Sequence, residues 1–389
     1  MDKKRLLVTG STFPRWEGDT EPRFILDYAS AMTEYYNVVA LVPMAPGAKT
    51  EEVMNGVKVK RFHYFPIHKW ETLCYPGAIV PRIKEKKVRI LLVPFLLIAQ
   101  RHAIKKACKE ADMVHAHWII PQGIIQSTIR NIPYVVTGHG GDVTSLNFQP
   151  IKGMKIQTLK KSKKITVVSK ALMEYVNDIY TNDKTSIIPM GCDTTAFSPD
   201  NRVENYFGQG EKKAILFVGR LAEKKGVTYL IEAMKNVDNA ILYIVGKGNL
   251  EDSLKEQAKE LGNKVVFLGP KTHNELPNIY ASADVFVAPS ITAKDGDKEG
   301  FGLVIVEAMA SGVPVVASRS GGIVDIIEHN KNGVLCEEKD VQGLSTAISA
   351  VLSDDKYRKS LVKEGLITAE NNSYLQVGKR YYEIFENLN

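Results

Sequence analysis

Cysteine is scarce in this chain of 389 residues. Its four cysteines, Cys74, Cys108, Cys192 and Cys336, form no CxxC pair. Neither a zinc ribbon nor a disulfide framework is encoded, and a reducing cytosol is the expected location. Long apolar runs are missing as well. The greasiest stretch, Ile90 to Ala99, is interrupted by Pro94, and about 20 apolar residues are needed to span a bilayer. The opening Leu6-Leu7-Val8 is too short for a signal-peptide core and reads as a first strand. No repeat of fixed period occurs, so a solenoid is excluded. Charge of one sign is not dominant: 51 Lys and Arg stand against 44 Asp and Glu, a net of +7. That excess does not mark a nucleic-acid binder, and no interleaved aromatics accompany it.

What is present is an ordinary globular composition, 44% hydrophobic and 24% charged, at a length that suits two domains. The charge is unevenly placed. Residues 1–195 carry 28 basic and 17 acidic residues, net +11, which leaves 23 against 27, net −4, for the rest. Two domains with different partners are expected.

Short β-branched runs alternate with amphipathic stretches. In the first half the strand candidates are 5–9, 38–42, 57–62, 113–117, 134–137, 165–169 and 186–189. Between the first two, Phe24, Ile25, Tyr28, Ala29 and Met32 make one helical face, with Thr20 as its N-cap and Pro22 in its first turn. A polar stretch, 198–213, reads as a linker. A second series follows, with strands at 214–219, 240–245, 264–268, 284–288, 313–317 and 334–336. This alternation implies α/β architecture with parallel, doubly wound sheets in two Rossmann-like domains. The expected division is 1–195, joined by a C-terminal helix at 372–389, and 196–371. In such sheets ligands bind beyond the C-terminal strand ends, so two sheets facing each other would hold a ligand in the cleft between them.

Three constellations lie at those ends. Residues 299–312 place Glu299 in a glycine loop and Glu307, eight residues on, in an apolar helix ending at Gly312. A carboxylate there is costly unless paired, and a ribose diol offers it two hydroxyls. The amides of Phe301, Gly302 and Leu303 open that helix and suit a phosphate. Alternatively Glu307 is a salt-bridged core residue and Glu299 a solvated one. Gly219-Arg220-Leu221-Ala222-Glu223-Lys224-Lys225-Gly226 follows the first strand of the second domain, giving a diphosphate two cations, unless these are ordinary surface charges. In the first domain, His115-Ala116-His117 ends a strand, and Thr137-Gly138-His139-Gly140-Gly141-Asp142 follows another. His117 reads alternatively as a core histidine, and Asp142 as a capping residue. The string Asp295-Gly296-Asp297 lacks the further ligands that a metal site needs.

The G-R-x-x-x-x-K-G loop, the Gly246-Lys247-Gly248 turn and the Glu299/Glu307 pair with E-G-F-G, in this order, resemble the retaining GT-B glycosyltransferases, specifically glycosyltransferase family 4. The stretch 289–300 is similar to members that assemble exopolysaccharide and other cell-surface glycans. The resemblance covers nearly the whole chain. It implies a metal-independent transfer of a hexosyl group from a UDP- or GDP-linked sugar to a glycan or lipid-linked hydroxyl. It also implies that Arg220 and Lys225 hold the diphosphate, Glu299 touches donor-sugar hydroxyls and Glu307 binds the ribose. Gly246, Phe301, Gly302 and Leu303 then belong to the donor site, His117 lies near the transferred sugar, and His139 and Asp142 contact acceptor or donor. Gly18 corresponds to a loop glycine whose usual neighbour is a second glycine, here Asp19. Other readings of the fold are a sugar-nucleotide epimerase, a phosphorylase or a non-catalytic sugar-nucleotide binder.

Two basic clusters remain. Arg82, Lys84, Lys86, Lys87 and Arg89 precede the Ile90 run, with Arg101, Lys105 and Lys106 beyond it, and Lys152, Lys155, Lys160, Lys161, Lys163 and Lys164 form the second. They are either solvated rims of core helices or a contact with the anionic inner face of a membrane.

Overall fold

The computed structural model describes residues 3–19 and 21–388; Thr20, the expected cap, lies outside them. The chain divides into two compact units, Met1–Pro189 with Val377–Asn389, and Met190–Gln376.

The first unit is built on eight strands: β1 Arg5–Thr9, β2 Asn37–Pro43, β3 Glu51–Met54, β4 Val57–Phe62, β5 Met113–His117, β6 Tyr134–Gly138, β7 Lys164–Val167 and β8 Thr185–Ile187. Their order is β3-β4-β2-β1-β5-β6-β7-β8. All pairs are parallel except the β3–β4 hairpin at one edge. That hairpin turns through Asn55 and Gly56, both at positive φ, and Asn-Gly is the dipeptide such turns favour. β3 is absent from the sequence-based assignment although its turn signal is present. The first helix begins at Phe24 with Arg23 in the cap position, so Pro22 precedes the helix instead of lying in its first turn.

The C-terminal helix Tyr374–Glu386 gives its aromatics to this unit. Val377, Tyr381 and Phe385 are buried in one core with Ile25, Met32 and Val38. Tyr382 stacks on Tyr35 with ring centroids 4.4 Å apart, and the Tyr36 hydroxyl donates to Glu386 Oε1 over 3.0 Å.

The Ile90 run is only partly a core element. In the helix Val93–Ala107, Leu96, Gln100 and Ile104 are buried, and Leu96 packs with Tyr64, Leu73 and Cys74. The preceding turn Lys87–Leu92 and the start of this helix leave apolar side chains exposed: Val88, Ile90, Leu91, Phe95 and Ile98 are 66, 57, 66, 46 and 71% accessible. No helix among the described residues is long and apolar enough to cross a membrane. The second basic cluster is corrected at one position, because Lys155 is buried.

The second unit has six strands: β9 Lys213–Val218, β10 Ala240–Val245, β11 Val265–Gly269, β12 Val285–Ala288, β13 Val315–Ser318 and β14 Val334–Cys336. They run in the order β11-β10-β9-β12-β13-β14, all parallel. This is the doubly wound order that reverses direction between its first and fourth strands, and the crevice beyond that reversal is where such sheets bind ligands. Here it lies beyond β9 and β12. In the first unit the corresponding neighbours are β1 and β5.

Shortening Phe385 to Ala should lower the stability of the first unit by about 3–5 kcal/mol, the usual cost of emptying a buried aromatic site. A urea titration checks this; an unchanged midpoint would show that the helix adds nothing to that core.

Candidate active site

In the second unit the loops after β9, β10, β12 and β13 meet through their backbones. A Cβ on Gly226, at φ +63°, would lie 1.9 Å from the carbonyl oxygen of Pro289, which follows β12. A Cβ on Gly246 would lie 1.9 Å from the Gly219 carbonyl oxygen, and one on Gly248 would lie 2.2 Å from that of Leu221. The glycines at 246 and 248 are therefore required by the β9 loop itself. Hydrogen bonds join the same segments: Leu221 N–H donates to Lys247 O (3.0 Å) and Ile291 N–H to Lys224 O (2.8 Å).

The short turn Glu223–Lys225 carries Lys224 and Lys225 toward the loop after β12. Lys225 Nζ forms an ion pair with Glu299 Oε2, and Lys224 Nζ one with Asp297 Oδ2 at 3.1 Å. Burial pushes the Glu299 carboxyl up. The charges of Lys225 and Lys224, with hydrogen bonds from Lys225 and the Gly300 amide, outweigh that effect and hold it below the usual carboxylate value. Glu299 is therefore not solvated, contrary to one of its two sequence readings. Arg220, directly after Gly219, is exposed and has no ion pair or hydrogen bond from its side chain among the described residues. Asp295 accepts from the Asp297 amide at 3.2 Å, so both acids of the D-x-D string are engaged within the protein.

The Glu299–Gly300 backbone is gripped from the other side by Gly321 and Gly322, after β13. Cβ atoms there would fall 2.1 and 2.3 Å from the carbonyl oxygens of Glu299 and Gly300. Gly322 N–H donates to Glu299 O over 2.9 Å. A glycine doublet in the loop that follows a strand is a legible signal of close backbone approach, and it lies outside the motifs named from the sequence. Gly302, at φ +101°, turns the chain into the helix Leu303–Ala310, whose first-turn amides have no acceptor within the helix. Phe301 is buried in front of it. Glu307 is half-buried, and its Oε2 accepts from the Tyr280 hydroxyl over 2.9 Å. Burial, then the Glu307 charge, raises the Tyr280 phenol well above its ordinary value, so it stays a donor. Tyr280 lies 27 residues away from Glu307 and carries no local sequence signal.

In the first unit, His115 is a fully occupied core histidine. Its Nδ1 meets the Tyr28 hydroxyl and its Nε2 the Thr137 hydroxyl, both at 2.6 Å. His117, two residues on in β5, is buried with its Nδ1 3.0 Å from His139 Nε2. Burial first, then neighbouring imidazoles, holds His117 well below its ordinary value, and burial lowers His139 to about 3. Both rings are neutral, so one donates to the other. His117 Nε2 and His139 Nδ1 have no partner among the described residues. In either tautomeric arrangement the pair presents one free N–H and one free lone pair, a match for a hydroxyl group. Trp118 immediately after His117 sits at φ +73°, a backbone strain of the sort that clusters at functional sites.

Asp142 holds this turn together. Its Oδ1 accepts from the His139 and Gly140 amides, both at 3.0 Å, and its Oδ2 from the Ile119 amide at 2.7 Å. Both carboxylate oxygens are engaged by amides of the protein itself, in keeping with the capping alternative for Asp142. Gly18, after β1, sits at φ +81°. Asp19, standing where a second glycine is usual, is buried and bound by Arg15 at 2.8 Å (Nη2 to Oδ1) and 2.9 Å (Nε to Oδ2).

Two parallel-sheet α/β units with a cation and glycine site at the switch point of the second define the GT-B glycosyltransferase fold. Residues 201–366 match the family described as Glycosyl transferases group 1, and residues 22–196 match Glycosyltransferase Family 4. The chain is 30% identical over 380 residues to the GDP-mannose-dependent alpha-(1-6)-phosphatidylinositol monomannoside mannosyltransferase of Mycobacterium tuberculosis, covering 90% of this chain and 89% of that one. Among solved structures it resembles sucrose-phosphate synthase from Thermosynechococcus elongatus (TM-score 0.79, 20% identity, 99% of both chains). It also resembles Anabaena HepE in complex with UDP and glucose (TM-score 0.74, 20% identity, 98% and 99%). The chain belongs to glycosyltransferase family 4, and it is an enzyme that transfers a glycosyl group.

Changing Lys225 to Met should leave the Glu299 carboxylate without its main partner and cost about 1–3 kcal/mol at neutral pH. Glu299 is held below its unfolded value, so the stability it contributes is present above that value and lost as pH falls through the folded one. The difference between wild type and variant should therefore shrink on acidification. A pH series of thermal unfolding checks it, and a difference constant with pH would place the effect elsewhere.

Proposed function

We propose that the enzyme moves a hexosyl group, with retention of configuration, from a nucleoside-diphosphate sugar to a hydroxyl of a glycan or lipid-linked acceptor in the assembly of a cell-surface polysaccharide. The observation that carries this reading is the unpartnered Arg220 beside the Lys225–Glu299 pair at the β9/β12 switch point. An arriving diphosphate supplies the anion that Arg220 lacks. It also competes for Lys225, which frees Glu299 for donor-sugar hydroxyls. The amides of Phe301, Gly302 and Leu303 add donors for the phosphate, and Glu307, oriented by Tyr280, accepts from a ribose diol.

The acceptor hydroxyl attacks on the face that the leaving group departs from, and the leaving phosphate oxygen takes its proton. Arg220, Lys225 and the amides stabilise the charge that develops on the diphosphate. No side chain is assigned as nucleophile. The neutral His117–His139 pair serves sugar or acceptor hydroxyls. No metal ion is required in this scheme, and the engagement of Asp297 by Lys224 supports that. The relative named for GDP-mannose and the HepE complex with UDP and glucose support a nucleotide-sugar donor without choosing the base. Arg220→Ala should reduce turnover at least tenfold, which corresponds to about 1.4 kcal/mol in the transition state. UDP and GDP sugars screened by thermal shift would identify the donor. Unchanged turnover would remove Arg220 from the site, and sugar-nucleotide conversion without an acceptor would favour an epimerase.

A second reading concerns location: a cytoplasmic enzyme that docks on the inner face of the membrane. It is favoured by the exposed Val88, Ile90, Leu91, Phe95 and Ile98 lying among Lys84, Lys86, Lys87 and Arg101. Each basic residue near an anionic surface contributes about 1 kcal/mol. The protein should sediment with phosphatidylglycerol vesicles at low salt, and Leu91→Asp with Ile98→Asp should abolish this. No sedimentation of the wild type would remove the membrane from the proposal.

A further inference from the structure

The buried Lys155 belongs to none of the roles above, yet it is tied to the turn that carries His139. It lies on the helix Ile151–Lys161 and is fully buried. Its ammonium donates to Val143 O (3.0 Å), Ser145 O (2.5 Å) and Asn147 Oδ1 (2.8 Å). An ammonium has three donors, and all three are used. All three acceptors are neutral, and all come from the five residues that follow Asp142.

The same short segment is thus gathered twice. At its start the Asp142 carboxylate collects the amides of His139 and Gly140, together with that of Ile119. At its end the Lys155 ammonium collects oxygen atoms. The two charges share no hydrogen bond, but each favours the charged form of the other. A surface lysine would be solvated and replaceable. A buried one without a carboxylate in contact is costly and is retained here by what it holds.

We infer that Lys155 is a positioning residue: by gathering Val143, Ser145 and Asn147 it fixes the turn that presents His139 to His117. The function proposed above is assumed only for the activity readout of this idea.

A dependence on pH follows from the geometry. Neutral lysine keeps two N–H donors and turns a lone pair toward an acceptor, so one of the three holds is lost. Burial brings the Lys155 ammonium down to about 8, with Asp142 acting against it. Of the segments packed on its helix, 119–127 carries no charge and Lys170–Ile179 carries Lys170, Glu174 and Asp178, but Asp142 is the charge that acts on it. His117 and His139 are neutral throughout this range. The turn should therefore loosen above about pH 8 with the neutral Lys155 still buried, because an opening that returned it to water would be disfavoured as pH rises, and the fold persists. The folded value lies below the ordinary 10.5, so between the two the unfolded chain binds the extra proton and this group's contribution to global stability rises with pH. Local loosening without global loss is the signature.

Amide hydrogen exchange of the peptide covering 139–147 tests this between pH 7 and 9.5, with rates corrected for base catalysis. The wild type should lose protection there at least tenfold across the range, while peptides of β5 and β6 keep theirs. Asn147→Asp, at an exposed residue that leaves the fold intact, places a carboxylate beside the ammonium and should move the midpoint upward by about one pH unit or more. Lys155→Met should lack the protection at every pH and lower kcat at least tenfold, with UDP or GDP binding unchanged. A flat wild-type profile, or one midpoint shared by wild type and Asn147→Asp, overturns the inference. Absence of glycosyl transfer by the wild type would count against the proposed function, and the exchange data would still decide the role of Lys155.

Discussion

The contact on which the donor-side architecture depends is backbone against backbone. The loops after β9, β10, β12 and β13 come so close that Gly226, Gly246, Gly248, Gly321 and Gly322 admit no Cβ. This crowding fixes the relative height of Arg220, Lys225, Glu299 and the helix that starts at Leu303. Two carboxylates and two cations held on separate flexible loops would pair indiscriminately. Held by shared carbonyls and amides, Lys224 reaches Asp297 while Lys225 reaches Glu299. The price is that the site tolerates little change in its glycines, although none of them has chemistry of its own.

A different device orders the first unit. Its reactive candidates are imidazoles, and what surrounds them is hydroxyl and backbone rather than charge. His115 is saturated by Tyr28 and Thr137, and Thr137 in turn meets Thr166 at 2.5 Å and the Tyr381 hydroxyl at 3.2 Å. The C-terminal helix therefore reaches the strand that carries His117 through one hydroxyl chain. The Asp142 carboxylate, in the same turn as His139, is held by three amides.

Much of this was legible in the sequence, and what was not has physical causes. Strands show because β-branched residues cluster in runs, and thirteen of the fourteen among the described residues were found that way. The edge strand β3 escaped because Glu51-Glu52-Val53-Met54 has almost no apolar signature; its evidence sits in the following Asn55-Gly56. The G-R-x-x-x-x-K-G loop and the paired Glu were visible as spacing, but spacing does not show that Gly246 serves a neighbouring carbonyl. Tyr280 was hidden by distance along the chain. Lys155 was hidden by its company, because one lysine in six of similar spacing gives no sign of burial. The apolar side of 88–98 was hidden too, since periodicity identifies two faces without saying which is covered.

The distribution of charge between the units follows from what each must recognise in the proposed reaction. A diphosphate calls for cations, and the second unit supplies Arg220 and Lys225, one free and one held in reserve by a carboxylate. Sugar hydroxyls call for a donor and an acceptor together. An imidazolium would offer donors alone and would attract any nearby phosphate. Burial keeps His117 and His139 neutral, and so preserves the lone pair that a charged ring would lose. The net +11 of the first 195 residues is therefore misleading for the chemistry near its strand ends. There the paired imidazoles are uncharged, while the basic excess lies mostly on the surface, with Arg61, Arg89 and Lys155 turned inward.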